Sequence, residues 1–304
     1  MTETPHVGTV SPDHLPGNPA PAPASTGADL VISARQVVRR YRRPRRSLTR
    51  PGPVVEALRG VDLDIAYGQR VGIVGESGSG KSTLIRLLAG LDRPTSGSIR
   101  FAGRDITRLP DRSLKFLRRD LQMVFQDPMG SLDPRMTVRD IISEPLVALG
   151  HHNPKARVAE LLDAVGLPAA AANRYPHQFS GGQRQRISIA RALSPHPKVL
   201  VADEPVSALD VSVRAQILNL LMDLVDDFSL TLVFVSHDLS VVRHLCDTVV
   251  VMHNGEIVER GPTTTVYERP THPYTQALLA AAPTLQKALA AHAANRDRKE
   301  PQQP

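Results

Sequence analysis

The stretch Gly75-Glu76-Ser77-Gly78-Ser79-Gly80-Lys81-Ser82-Thr83 constrains this chain more than any other. It meets the pattern G-x-x-x-x-G-K-[ST] at every position. Before it, Arg70-Val71-Gly72-Ile73-Val74 reads as a buried strand; after it, Leu84, Ile85, Leu87 and Leu88 form an apolar helical face. Strand, glycine loop and helix are the setting the pattern requires. The glycines let the backbone curl into a nest of N–H groups, and the helix adds its positive N-terminal end. In such a loop Lys81 reaches the β- and γ-phosphates and the Ser82 hydroxyl ligates Mg²⁺. The stretch therefore implies a nucleoside triphosphate site.

The 304 residues suffice for one large domain or two modest ones with a proper core. No apolar run is long enough to span a bilayer, and the N-terminus has no secretory h-region, so the chain is expected in the cytosol unless a partner docks it on a membrane. Cys246 is the single cysteine, which excludes an internal disulfide and a cysteine-based metal cluster. Its apolar neighbours predict a buried core thiol. The net charge of +7 has a local source in Arg39, Arg40, Arg42, Arg43, Arg45 and Arg46.

Residues 1–28, rich in Pro, Ala, Gly and Thr, are expected to form a disordered leader. A β-like stretch, Leu30 to Val37, opens the folded part. The arginine run around Tyr41, broken by Pro44, Pro51 and Pro53, reads either as a surface for anionic lipid or nucleic acid or as a solvated loop. Alternating apolar positions from Val55 to Ile65 suggest paired strands. Short strands follow at Ser98–Phe101 and Leu121–Phe125. From 127 to about 196 helical patterns dominate (Val138 to Leu149, Ala156 to Val165, Gln183 to Leu193), as in a helical subdomain inserted into an α/β core. The core returns with Val199-Leu200-Val201-Ala202-Asp203-Glu204, an amphipathic helix through Val213, Ile217, Leu221 and Leu224, and the strand Thr231–Ser236. Strand–helix alternation is expected to continue to Glu259. A short extension covers 263–283, and 284–304 reads as a flexible, Ala-rich charged tail.

Asp203 and Glu204 at a strand tip suit metal-assisted phosphoryl chemistry, the first holding Mg²⁺ and the second orienting an attacking water. Gln126 follows a strand end and can bond water and metal; His237 follows another, where a neutral imidazole can bond a γ-phosphate oxygen. Ser180-Gly181-Gly182-Gln183 precedes a helix expected to start near Gln183, and forms a second anion site. Two phosphate cradles suit a head-to-tail dimer, each chain capping the nucleotide of the other.

Together these residues resemble the ATP-binding-cassette ATPases, over roughly residues 30–283. The resemblance matches Gly75–Thr83 to the phosphate loop, Gln126 to the Q-loop, Ser180–Gln183 to the signature and Val199–Glu204 to the Walker B stretch. It further matches Ser207-Ala208-Leu209-Asp210 to the D-loop and His237 to the switch histidine. Phe179 stands where leucine is commoner, away from the phosphate contacts. The family implies a P-loop NTPase (RecA-like) core with a mixed sheet, an inserted α-helical subdomain and an antiparallel β subdomain, here within 29–262. It also implies ATP and Mg²⁺, held by Ser82, Gln126 and Asp203, with Tyr41 the positional candidate for stacking on adenine. By the same resemblance the signature acts on the partner's nucleotide and Glu204 hydrolyses.

A narrower resemblance points to the oligopeptide/dipeptide/nickel importer branch. It rests on Phe125–Pro128, Ser131–Thr137, Tyr175–Phe179 and the extension Arg269-Pro270-Thr271-His272-Pro273-Tyr274-Thr275. It implies two integral membrane permease subunits, a second cassette, identical or homologous, and an extracytoplasmic solute-binding protein. The chain would then sit at the cytoplasmic face of the membrane, with residues 127–137 docking on the permeases. His272-Pro273-Tyr274 reads from its residues alone as a turn that starts a packing helix. Adjacent His151 and His152 cannot face one metal and read as surface residues. The alternatives are the same motor for nickel or another small solute, an exporter cassette, a non-hydrolysing regulator, or a cassette ATPase acting on ribosomes or nucleic acid. Intact Glu204 argues against the regulator, and the lack of a second cassette or a long coiled coil argues against the last, so no nucleic acid is expected.

Overall fold

Strands β1 (Leu30–Arg42) and β2 (Val54–Ala66) pair antiparallel over nearly their whole length. The computed structural model describes residues 30–42, 53–151 and 154–281. The expected leader and tail, His152, and Arg43, Arg45 and Arg46 of the arginine run lie outside the described residues. The rest of that run is not a loop. Arg39, Arg40 and Arg42 continue β1, because their partners on β2 extend the ladder to Val54. Their charge is partly neutralised locally: Arg39 pairs with Asp92 at 2.9 Å and Arg40 with Glu56. The alternating apolar residues from Val55 to Ile65 form the single strand β2, with β1 as its partner.

Next come β3 (Arg70–Val74) and α1 (Lys81–Leu88), then β4 (Ser96–Phe101) and β5 (Arg104–Asp105). Helix α2 (Lys115–Asp120) leads into β6 (Leu121–Val124). Between β6 and the next strand the chain is helical: α3 (Pro128–Ser131), α4 (Val138–Ala148), α5 (Lys155–Ala164) and α6 (Gly181–Leu193). The chain then alternates through β7 (Val199–Asp203), α7 (Val211–Asp227), β8 (Thr231–Val235) and α8 (Leu239–Leu245). It closes with β9 (Thr248–His253), β10 (Glu256–Pro262), α9 (Thr263–Glu268) and α10 (Pro273–Ala281).

Alternation of strand and helix stops before Glu259, because β9 and β10 are an antiparallel hairpin. Its turn is Asn254-Gly255, with φ of 48° and 85°, and that pair of positive angles is what a two-residue hairpin turn with right-handed strand twist requires.

Two sheets result, a four-stranded antiparallel one in the order β2-β1-β4-β5 and a six-stranded one in the order β10-β9-β3-β8-β7-β6. In the larger sheet every pairing is parallel except β9 with β10. Both its faces are buried, and the twofold periodicity of a strand decides which residue faces which core. Val199, Val201, Val233 and Val235 pack with Ile32, Phe101 and α1 under the antiparallel sheet. Leu200, Ala202, Leu232 and Phe234 face the helices, with Ile141, Leu161, Ile187 and Leu221. Full burial of one such side chain stabilises by about 1.5–3 kcal/mol. Among the described residues no helix is long and apolar enough to cross a membrane.

Candidate active site

The chain leaves β3 at Gly75 with φ of 148°, and a Cβ there would lie 2.2 Å from the Met252 carbonyl oxygen. Only glycine meets both conditions. Met252 belongs to β9, and the hairpin after it grips the loop again: the Gly255 N–H donates to the Ser79 carbonyl at 2.9 Å. Lys81 opens α1 and is 6% exposed. Its ammonium donates to the carbonyls of Gly75 at 2.7 Å and Glu76 at 2.9 Å. Burial lowers the Lys81 pKa, and the charges of Glu204 and Asp203 oppose that. The Ser79 hydroxyl is buried without a hydrogen-bond partner among the described groups. Glu76, Ser77 and Gly78 are exposed at the loop tip, Gly80 precedes the helix, and Ser82, exposed, and Thr83 lie in its first turn.

Strand β8 lies between β3 and β7, so the phosphate loop, His237 and the Asp203-Glu204 pair leave three neighbouring strand ends. Glu204 takes φ of 46°, a left-handed conformation that costs a non-glycine residue free energy unless its surroundings hold it. Its N–H continues the ladder by donating to the Val235 carbonyl at 3.0 Å. Its Oε2 lies 3.2 Å from His237 Nδ1. Burial and then the neighbouring Glu204 charge raise the Asp203 pKa, against Lys81 and Arg86. The Asp203 and Glu204 carboxylates and the exposed Ser82 hydroxyl supply oxygen donors of the kind Mg²⁺ takes.

Gln126 follows β6 and lines an open cleft with Asp127, Met129, Gly181, Pro205 and Leu209. It thus faces both the start of α6 and the segment after Glu204. Helix α6 begins at Gly181, two residues earlier than its sequence suggests. The Ser180 hydroxyl accepts from the Gln183 N–H at 3.4 Å, and Gln183 Oε1 accepts from the Ser180 N–H at 3.0 Å. This capping box encloses Gly181 and Gly182 in the first turn, where N–H groups have no helical acceptor anyway. Asp210 caps α7 by accepting from Val213 at 3.0 Å. A Cβ on Gly182 would come within 2.4 Å of Val213 Cγ1, so α6 and α7 start as one packed unit. No hydrogen bond among the described residues joins Ser180–Gln183 to Gly75–Thr83.

Tyr41 sits on β1, its hydroxyl 2.8 Å from Asp92 Oδ2 and the Arg39 guanidinium 4.4 Å from its ring centre. One residue that sequence reading did not connect to the phosphate loop touches it. The Tyr274 hydroxyl oxygen accepts from the Glu76 N–H at 3.1 Å. Nothing in the His272-Pro273-Tyr274 triplet beyond its helix-starting proline foretells that contact.

A family model described as ABC transporter matches residues 58–207, and one described as oligopeptide/dipeptide transporter, C-terminal region, matches 258–304. The di/tripeptide transport ATP-binding protein DppF of Pseudomonas aeruginosa is 48% identical over 260 residues, covering 84% of this chain and 80% of DppF. The chain belongs to the ATP-binding-cassette transporter family. The oligopeptide transport ATP-binding protein OppD of Mycobacterium tuberculosis is 51% identical to this cassette over 265 residues, 86% of the chain. The match spans only 43% of OppD, so the cassette corresponds to less than half of that longer relative. In structure the cassette resembles MJ0796, solved as a dimer in a post-hydrolysis state bound to ADP and Pi. The TM-score is 0.68 at 32% identity, over 76% of this chain and 98% of MJ0796.

Proposed function

We propose that this cassette is the ATP-binding, ATP-hydrolysing subunit of an importer that takes up peptides of the oligopeptide/dipeptide class. The observation that carries the catalytic part is the Glu204–His237 pair at 3.2 Å, on strand ends adjoining the phosphate loop. The names of the relatives and the match at 258–304 support the peptide part.

The loop Gly75–Thr83 binds the phosphates of ATP through its N–H groups from Ser77 onward and the α1 N-terminus, the Glu76 N–H being taken by Tyr274. Lys81 exchanges its bonds to loop carbonyls for β- and γ-phosphate oxygens, which offsets the cost of its burial. Tyr41 stacks on the adenine. Ser82, Asp203 and Gln126 would hold Mg²⁺, which when bound neutralises charge on the phosphates. Glu204 accepts a proton from the water that attacks the γ-phosphorus as the bond to the β-phosphate oxygen breaks. A neutral His237 ring has one N–H to give: without nucleotide its Nδ1 lies against the Glu204 carboxylate, and with nucleotide bound the ring's N–H turns to a γ-phosphate oxygen.

Ser180, Gly181, Gly182 and Gln183 serve the nucleotide of a second cassette, identical or homologous, and Asp210 belongs to the same contact. The dimeric state of MJ0796 supports this reading. Two integral membrane permeases complete the importer, docked on residues 127–137, and an extracytoplasmic binding protein supplies solute. The cassette then works at the cytoplasmic face of the membrane.

The test is uptake of a labelled oligopeptide by cells whose only copy carries Glu204→Gln. Uptake should be lost and return with the wild type. Unchanged uptake would sink the peptide assignment.

A further inference from the structure

The peptide unit joining Gly75 to Glu76 is held at both ends. Its carbonyl accepts from Lys81 Nζ at 2.7 Å, and its N–H donates to the Tyr274 hydroxyl at 3.1 Å. The first bond is temporary in the reading above, since Lys81 must turn to phosphate. The second comes from outside the loop, on a helix near the end of the described chain, and in the same reading the phosphates take the N–H groups from Ser77 onward.

Several contacts fix that tyrosine. Its ring lies against His253, with centroids 3.9 Å apart, and His253 ends the strand whose Met252 carbonyl crowds Gly75. Its N–H donates to His272 Nδ1 at 3.1 Å, so His272 caps α10. The turn before α10 is tied to β10 by Glu259, 8% exposed. That carboxylate accepts from the Thr271 N–H at 2.8 Å, the Thr271 hydroxyl at 2.9 Å and the His272 N–H at 3.1 Å. Leu278 and Leu279 pack α10 on the helix-side core. The extension thus presents one hydroxyl, rigidly, to one amide of the phosphate loop.

We propose that Tyr274 is a positioning residue for the phosphate loop, holding the Gly75–Glu76 peptide in its binding orientation when Lys81 releases it. The inference rests on the nucleotide-site reading above. Without the hydroxyl this peptide is free to rotate once Lys81 engages phosphate, and binding must bear the cost of ordering it.

Titration calorimetry of the full chain with MgADP tests this, comparing wild type, Tyr274→Phe and Tyr267→Phe. Tyr267 lies in the same extension, and its hydroxyl donates to the Leu239 carbonyl at 2.6 Å, away from the loop. Tyr274→Phe keeps the ring and should weaken MgADP binding about five-fold, as loss of one hydrogen bond predicts. Hydrogen exchange at the Glu76 amide with MgADP present should quicken in the same variant. Tyr267→Phe should lower Tm but leave both readouts at wild-type values. Equal affinity in wild type and Tyr274→Phe would overturn the proposal, as would equal weakening in both variants. A wild-type chain that fails to bind MgADP would remove the nucleotide reading itself.

Discussion

His237 Nδ1 lies 3.2 Å from Glu204 Oε2, and the two residues leave adjacent parallel strands, β8 and β7. Neither side chain needs a loop rearrangement to meet the other, since the sheet sets their separation. Glu204→Gln should therefore retain MgATP binding while lowering turnover about 10²–10⁴-fold. His237→Ala, which removes one hydrogen-bond donor beside that carboxylate, should cost about ten-fold. Steady-state ATPase assays beside equilibrium nucleotide binding check both. A Gln variant that turns over at the wild-type rate would remove Glu204 from the chemistry.

Asp203 should cost the fold stability at neutral pH. Its pKa is raised by burial and by Glu204, so the unfolded carboxyl, at about 3.9, loses its proton first as pH rises. Through that window the folded state holds more protons and stability falls with pH; above the raised native pKa the penalty is constant. Asp203→Asn, which cannot titrate, should match wild type in Tm near pH 3 and exceed it at pH 7. Each kcal/mol gained would read as about 2–4 °C. A variant less stable than wild type at pH 7 would refute the argument.

Gly182→Ala should separate α6 from α7, because its Cβ would lie 2.4 Å from Val213 Cγ1. Overpacking of this kind costs about 1–3 kcal/mol. Val213→Ala in the same chain should return most of it, and a double-mutant cycle by urea unfolding measures the coupling. Additive effects would show that the two positions do not meet.

Cys246 should resist alkylation in the folded chain. It is 5% exposed, packed near Gly72 of β3, and burial pushes its thiol up to about 12. Iodoacetamide at pH 8 should label it only in denaturant, as followed by intact mass. Ready labelling without denaturant would show that this core opens on its own.

The phosphate loop, the strand ending in Asp203 and the burial of Cys246 were legible because each is a local pattern whose physical demand is met by adjacent residues. The paired ends of β7 and β8 were inferable once two apolar runs ending in polar residues were read as buried parallel strands. Other features depended on distant partners. Arg39 and Arg40 continue a strand because β2 and Asp92 receive them, which composition alone does not reveal. The hairpin at Asn254-Gly255 did carry a local signal, two residues tolerant of positive φ between apolar runs, yet the run after it resembled one more core strand. Tyr274 reaches Glu76 across 198 positions, and no periodicity encodes a contact at that range.

The half-buried, raised-pKa carboxylate at Asp203 has an evolutionary side. A population screened only for heat resistance should drift toward neutral side chains at 203, because the fold gains by losing that charge. Only selection for work done by the nucleotide would keep an aspartate there. Position 203 is thus where endurance and usefulness in this chain pull apart.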